Sequence, residues 1–306
     1  MSKEKTITAY KAFDKNLQCR GFQFEVGKTY KHEGEVEICK SGFHACENPF
    51  DCWSYYELID SRYAVVELSG DVKAHDNDTK LAAAEIHIKA EIALPEFIKS
   101  AVDWVVEKTK SKDDAGDYAQ IGSSGYSARI GSSGDYAQIG SSGDSARIGS
   151  SGYYAQIGSS GNYARIGSSG YSAKIGSSGD SARIGSSGDS ARIGSSGYSA
   201  RIGSSGDSAR IGSSGYSARI GSSGYSARIG SSGDSAQIAS EGAEAVIACA
   251  GYKNKVKAKN GAWIAVAEFN EKGDCIGFAT GCIGQDGLKA DTWYQAKDGK
   301  LQELTA

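Results

Sequence analysis

Proline is nearly missing from this 306-residue chain, which holds two prolines against forty-one glycines. Glycine-rich composition alone suggests a disordered linker, but here the glycines fall in a strict period, which argues for a repeat fold. Long apolar runs are also lacking. None approaches the ~18 residues of a membrane span. The N-terminal stretch MSKEKTITAY has no apolar core, so a secretory signal is not expected. The seven cysteines are odd in number and lack the paired spacing of a secreted disulfide scaffold. They read as free thiols in a reducing compartment, which makes a cytoplasmic location the expectation. Only four histidines are present, all before residue 90. The rest of the chain is thereby poor ground for common acid–base catalysis. A net charge of -3 supplies no strong field towards nucleic acid or membrane.

What is abundant is one sentence repeated. From Asp117 to Gly233 a nine-residue unit occurs thirteen times. Position 1 is Asp, Tyr or Asn, position 2 Ser or Tyr, position 3 Ala and position 4 Arg, Gln or Lys. Ile-Gly-Ser-Ser-Gly completes the unit. Residues 234–242, 243–251 and 252–260 keep the period with altered letters. Ala and Ile stand two apart around a long polar residue, the alternation of a strand with one buried face. The Gly-Ser-Ser-Gly that follows is turn chemistry, in which glycine would supply positive φ. A single unit cannot bury its own Ile. Stacked units can, and that is a β-solenoid. Units one, three and five open DYAQ, DYAQ and YYAQ, whereas units two and four open YSAR and DSAR. Spatial neighbours are therefore expected two units apart, giving two-faced coils of eighteen residues.

The expected class is mainly β, with an α+β domain over 1–93, a capping helix and linker over 94–116, the solenoid over 117–260 and a C-terminal β cap over 261–306. Strands are expected at 6–13, 20–30 and 63–72, and a helix at 48–59 behind Asn48 and Pro49. LPEFIKSAVDWVVEKTK (94–110) places Phe97, Ile98, Ala101, Val102, Val105 and Val106 on one stripe. That helix is expected to lie over the first coil. GAWIAVAEFN, CIGFATGCIG and ADTWYQAKDGKLQEL read as strands closing the far end.

Eighteen-residue coils sort the position-4 residues into two columns. One holds Gln120, Gln138, Gln156, Lys174, Arg192, Arg210 and Arg228. The other holds Arg129, Arg147, Arg165, Arg183, Arg201 and Arg219 without a break. Residues 117–233 carry ten cations and six carboxylates, a net of +4, so the remainder carries -7. An arginine column is either a solvated face that keeps the rod soluble or a ladder for an anionic partner, with Tyr126, Tyr198 and Tyr216 adding stacking. Calcium-binding nonapeptide rolls need Gly-Gly-x-Gly-x-Asp, which is missing. Ice-binding solenoids carry flat Thr rows, and DNA-mimicking solenoids are acidic. None of these three fits.

RGFQFEVGKTY, SGFHACENPFDCWSYY and YAVVELSGDV together resemble an uncharacterised domain of phage and prophage proteins. GAWIAVAEFN and LKADTWYQAKDGKLQEL resemble the tail module that accompanies it. The two resemblances span about half the chain. They imply a viral or prophage setting and carry no assigned reaction. Arg20, Gly42-Phe43-His44, Tyr55 or Tyr56, and Glu67 also follow the order of parts in an ADP-ribosyltransferase, in which a late Glu stabilises the cation formed as nicotinamide leaves. The Ser-Thr-Ser strand of that family is missing. The plain alternative makes Arg20 and Glu67 surface charges and His44 a hydrogen-bonded strand residue. Cys39, His44, Cys46 and Cys52 lie within fourteen residues. They could bind zinc, but the spacing matches no standard finger, and buried thiols explain them equally. No P-loop or nucleophile elbow is present, and no cofactor is implied.

The sequence therefore favours a non-enzymatic binding protein with a rigid repetitive surface. An inhibitor of a host defence protein is one concrete form. The expected partner is a host protein or other anionic partner, with nucleic acid possible and less favoured, and no membrane. Two alternatives remain: an N-terminal nucleotide-acting enzyme with the solenoid as spacer, and a self-assembling structural rod forming a homo-oligomer.

Overall fold

The computed structural model describes residues 6–56, 61–75, 78–109 and 116–304. The chain divides into two compact units, Met1–Trp104 and Val105–Ala306.

In the first unit, β1 (Ile7–Asp14), β5 (Phe43–Cys46), β6 (Ser61–Ala74) and β7 (Lys80–Ile92) form a small sheet closed on itself. β1 pairs with β6 along its whole length, β6 with β7, β7 with β5, and a single pair, Tyr10 with Cys46, joins β5 back to β1. β4 (Thr29–Lys31) adds to the free edge of β7. Phe13, Ala64, Val66, Leu68, Ile86 and Ile88 fill the interior. The strand expected over 20–30 is instead a two-residue hairpin, β2 (Gln18–Cys19) and β3 (Phe22–Gln23), followed by a loop. Arg20 and Gly21 both have positive φ in its tight turn, the geometry that keeps a short hairpin's twist. β7 has no counterpart in the sequence reading, because its run of Ala, Glu and Lys favours helix by propensity. Burial decides otherwise, since β7 lies between β5 and β6.

The helix expected over 48–59 is one turn, α1 (Pro49–Cys52), capped by the Asn48 carboxamide on the Phe50 amide. Its residues 57–59 fall outside the described ones. Both Tyr55 and Tyr56 donate their amides to the Cys52 carbonyl, which ends the helix. α2 (Leu94–Thr109) shows the expected amphipathic face, with Phe97, Ile98, Ala101, Val102 and Val105 buried. Phe97 stacks among Tyr10, Trp53 and Tyr63, which ties the start of this helix to the first unit. The rest of the expected linker, 110–115, is outside the described residues.

The second unit is the solenoid, of about eight turns. Sixteen four-residue strands, β8 (Gln120–Ser123) to β23 (Lys255–Ala258), alternate between two parallel sheets. Strands pair in register with the strand eighteen residues on, Ile139 with Ile157 and Ile148 with Ile166. Sheet I holds the even-numbered strands and sheet II the odd-numbered ones. Ala, Ile and Ser at positions 3, 5 and 7 point inward, and the Ile column of both sheets forms one continuous core. β24 (Trp263–Phe269) extends sheet I in parallel, and β25 (Cys275–Cys282) reverses on it. β26 (Tyr294–Lys297) and β27 (Lys300–Glu303) turn antiparallel on sheet II. Ile283, Tyr294, Leu288 and Leu301 cover the end of the core, as expected of the C-terminal cap.

The turn chemistry differs from expectation. Positive φ belongs to position 2, with values of 53–60° at Tyr118, Ser127, Tyr136 and every equivalent residue to Lys253. None of the repeat glycines from Gly122 to Gly251 has it. The last glycine of the unit is required for another reason. A Cβ on Gly188 would sit 2.0 Å from the Gly170 carbonyl oxygen, and the same clash recurs in each coil. In sheet I the first glycine meets nothing within 4 Å. Position 1 also has a structural task. The Asp189 carboxylate accepts the Asp207 amide at 2.9 Å, and the Asp207 carboxylate accepts the Tyr225 amide at 2.7 Å. Asp144, Asn162 and Asp180 do likewise along the other corner.

Two single substitutions separate these roles. Gly188→Ala is expected to lower the stability of the solenoid by about 3 kcal/mol or more, beyond ordinary overpacking because the obstacle is backbone. Gly194→Ala is expected to be neutral or stabilising by up to ~1 kcal/mol. Urea unfolding followed by circular dichroism gives both; equal effects would contradict the close approach.

Candidate functional site

One cleft in the first unit gathers most of the sequence-predicted chemistry. It has a volume of about 730 Å³. β1 supplies Tyr10 and Lys11, the β2–β3 hairpin Cys19, Arg20 and Phe22, and β5 Phe43, His44 and Cys46. The turn after α1 adds Tyr55 and Tyr56, and the start of β7 adds Lys80. Arg20, His44 and Tyr55 thus share one site. Glu67 does not line it. It lies on β6 and pairs with Lys89 at 2.7 Å, so the transferase-like set does not assemble.

His44 accepts the Cys39 amide on Nε2 at 3.0 Å. Burial, followed by Lys11, Lys80 and Arg20, pushes its pKa down to about 4. Lys80 Nζ touches Cys39 Sγ at 2.9 Å and the Tyr55 hydroxyl at 3.0 Å. Burial works against that ammonium, but these two contacts outweigh it and hold its pKa above the usual lysine value. Tyr55 donates to Asp78 at 2.5 Å. Its phenol is pushed up to about 12, by burial and then by Asp78. Burial, followed by Cys19, raises the Tyr56 phenol too.

The four metal candidates do not converge on one point. Cys39 meets Lys80, and Cys52 donates to the Tyr10 carbonyl at 3.3 Å. The Cys46 thiol is raised by its contact with Cys52 and by burial. Among the described residues no group of three His, Cys, Asp or Glu side chains could hold a metal ion.

On the solenoid the two position-4 columns are unequal. Arg129 is exposed, but Arg147 is buried, at 6% exposure, and Arg165, Arg183, Arg201 and Arg219 are half-buried. The open column is that of sheet I, where Gln120, Gln138, Gln156, Lys174, Arg192, Arg210 and Arg228 are all exposed. Among the described residues Lys174, Arg192, Arg210 and Arg228 have no carboxylate within ion-pair distance. They flank an open trough of about 620 Å³ floored by Gly176, Gly194 and Gly212. Strand register continues the column to Val246 and then Trp263, 49% and 56% exposed. Sequence reasoning missed both. Val246 keeps the eighteen-residue interval, whereas Trp263 follows it by seventeen.

The predicted tyrosines do not form one cluster. Tyr198 and Tyr216 are neighbours, with ring centroids 6.1 Å apart, and Tyr126 lies four coils earlier. A stacked ladder exists elsewhere, at position 2: Tyr118, Tyr136 and Tyr154, with spacings of 5.0 and 5.1 Å. The rings stack on one another, and Tyr118 stays 69% exposed and Tyr136 and Tyr154 44% exposed.

The position of His44 has a pH consequence. Its folded pKa is depressed, so the unfolded chain takes up a proton first as pH falls. The first unit is expected to lose stability between pH 6.5 and about 4. NMR titration should show the His44 ring unchanged down to about pH 5, and His44→Gln should remove that part of the acid sensitivity. An ordinary titration near pH 6.5 would contradict the burial and cation cluster described.

Residues 7–100 match a family described as Domain of unknown function (DUF7666). Neither the curated proteins nor the solved structures give a match to the chain. The family match carries no activity and shows no phage association. The first unit therefore holds a DUF7666 domain of unknown function.

Proposed function

We propose that this chain is a non-enzymatic binding protein that offers sheet I as a rigid docking face for an acidic protein segment. The observation that carries this reading is the row Lys174, Arg192, Arg210, Arg228: exposed, in register on adjacent strands, and without ion pairs among the described residues. Strands about 4.8 Å apart hold like charges close together. Two such charges repel by ~0.9 kcal/mol in water at that distance. An anionic partner turns this repulsion into attraction.

A single exposed ion pair is worth ~1 kcal/mol or less, so cations alone give weak, salt-sensitive binding. Trp263, beside Val246 at the end of the row, adds an apolar anchor of the kind that dominates protein interfaces. Arginines followed by an exposed tryptophan favour a protein over a nucleic acid as the partner. The fixed strand register supports the reading further, because the row is preorganised and loses little entropy on binding. The column from Arg147, which is buried, to the half-buried Arg219 is the lesser surface. That the partner belongs to an infected host rests solely on the resemblance to phage and prophage proteins.

The full chain is tested with a labelled Glu-rich peptide ending in Leu, and with duplex DNA, at low and high salt. The peptide is expected to bind in a salt-dependent way. Arg192→Glu with Arg210→Glu, and separately Trp263→Ala, are each expected to weaken it by about tenfold. No peptide binding, or tighter binding of DNA, would overturn the proposal.

A further inference from the structure

The cleft of the first unit has an unusual electrostatic composition. Among the described residues that line it there is no Asp or Glu, yet Lys11, Arg20, Lys40 and Lys80 all do. Lys40 is paired with Glu37 at 2.7 Å. Lys11 and Lys80 are buried, at 5% and 7% exposure, and neither has a carboxylate within ion-pair distance among the described residues. Lys11 Nζ donates to the His44 carbonyl at 2.8 Å and lies 5.4 Å from the ring centres of Phe13 and Phe24. Lys80 Nζ lies 4.2 Å from the Tyr55 ring centre, and Asp78 reaches it through the Tyr55 hydroxyl.

The Cys39 thiol and the Tyr55 hydroxyl keep the Lys80 ammonium charged despite its burial. With Lys11, Arg20 and Lys80 lining the cleft and no carboxylate among its described lining residues, the cleft carries a positive field that attracts an anion. His44, neutral at physiological pH, neither competes with nor repels it. The walls specify more than charge. Phe22, Phe24 and Phe43 line the cleft and pack edge to face, and Phe22 is 46% exposed. Arg20, held at the tip of the β2–β3 hairpin, is exposed and lines the same cleft. Apolar aromatic walls with a few convergent polar groups, in a volume of about 730 Å³, are the signature of a small-molecule site.

We infer that this cleft binds a planar aromatic compound bearing a phosphate, of mononucleotide size, with Lys11, Lys80 and Arg20 around the phosphate and Phe22 and Phe43 against the ring. The site is separate from the sheet I row, and the two readings stand or fall independently.

Isothermal titration of the full chain with AMP, GMP, CMP and UMP, and with adenosine and inorganic phosphate as half-ligands, tests it. At least one nucleotide is expected to bind about tenfold or more tighter than either half-ligand. Lys80→Gln should cost about tenfold and Arg20→Gln about threefold. Lys31→Gln, at a cation outside the cleft, and Arg192→Glu with Arg210→Glu should change nothing. If Lys80→Gln fails to fold, Arg20→Gln and Phe22→Ala decide, since both residues are exposed. Failure of all four nucleotides to bind, phosphate binding as tightly as any nucleotide, or binding indifferent to the cleft substitutions would overturn the inference.

Discussion

Successive coils of this protein approach so closely, at two points in each coil, that a single carbon atom does not fit between them. The α-carbon of the last residue of each unit faces a carbonyl of the preceding coil, and an added Cβ would lie about 2 Å from it. Glycine is the one residue that permits this. The consequence is geometric: the backbone of every coil must repeat the one before it, strand over strand in register. The rows of identical side chains follow from that repetition. So does the corner ladder, where Asp or Asn at position 1 receives the amide eighteen residues on. Position 2 accepts the left-handed backbone that the corner needs, at a conformational cost that Ser and Tyr do not naturally avoid.

The same regularity explains where the charges end up. A strict repeat cannot vary the spacing of its side chains, only their identity. On sheet I three amides are followed by four cations, then Val246 and Trp263. The solenoid uses repetition to fix a line of charge. The first unit uses closure: a small sheet curled on itself holds two lysines deep beside aromatic rings. Charge is exposed and extended in one unit, and buried and convergent in the other. The two suit different ligands, a long partner and a small one.

The solenoid was legible because a period of nine in the sequence leaves few physical solutions. The opening letters of the first five units even disclosed the pairing at eighteen. The inward Ala and Ile, the end cap and the amphipathic face of α2 followed from alternation and helical spacing. Other features depend on tertiary context that no local pattern carries. The unequal burial of Arg147 and Arg192 is one, since both sit at position 4 of near-identical units. The reason for the glycines is another, because a close approach between coils leaves no trace in a single unit. In the first unit the sequence points to Arg20, His44 and Tyr55, and these share a cleft. It does not point to Lys11 and Lys80, because a lysine on a strand reads as a solvated charge until the strand is seen to bury it. Glu67 shows the converse: order along the chain placed it with the others, and the fold put it on another face beside Lys89.

The most direct test of the account is the distance between Ser142 and Ser232. Both are exposed, each one residue past the end of a sheet I strand, and they lie five coils apart if each coil takes two units. Spin labels at these positions, with the exposed Cys39 and Cys275 replaced by Ser, can be measured by pulsed electron resonance. A narrow distribution near 24 Å is expected, from five steps of about 4.8 Å. A distance near 48 Å, the value for ~4.8 Å coils of one unit each, or a broad distribution would contradict the two-faced, close-stacked solenoid.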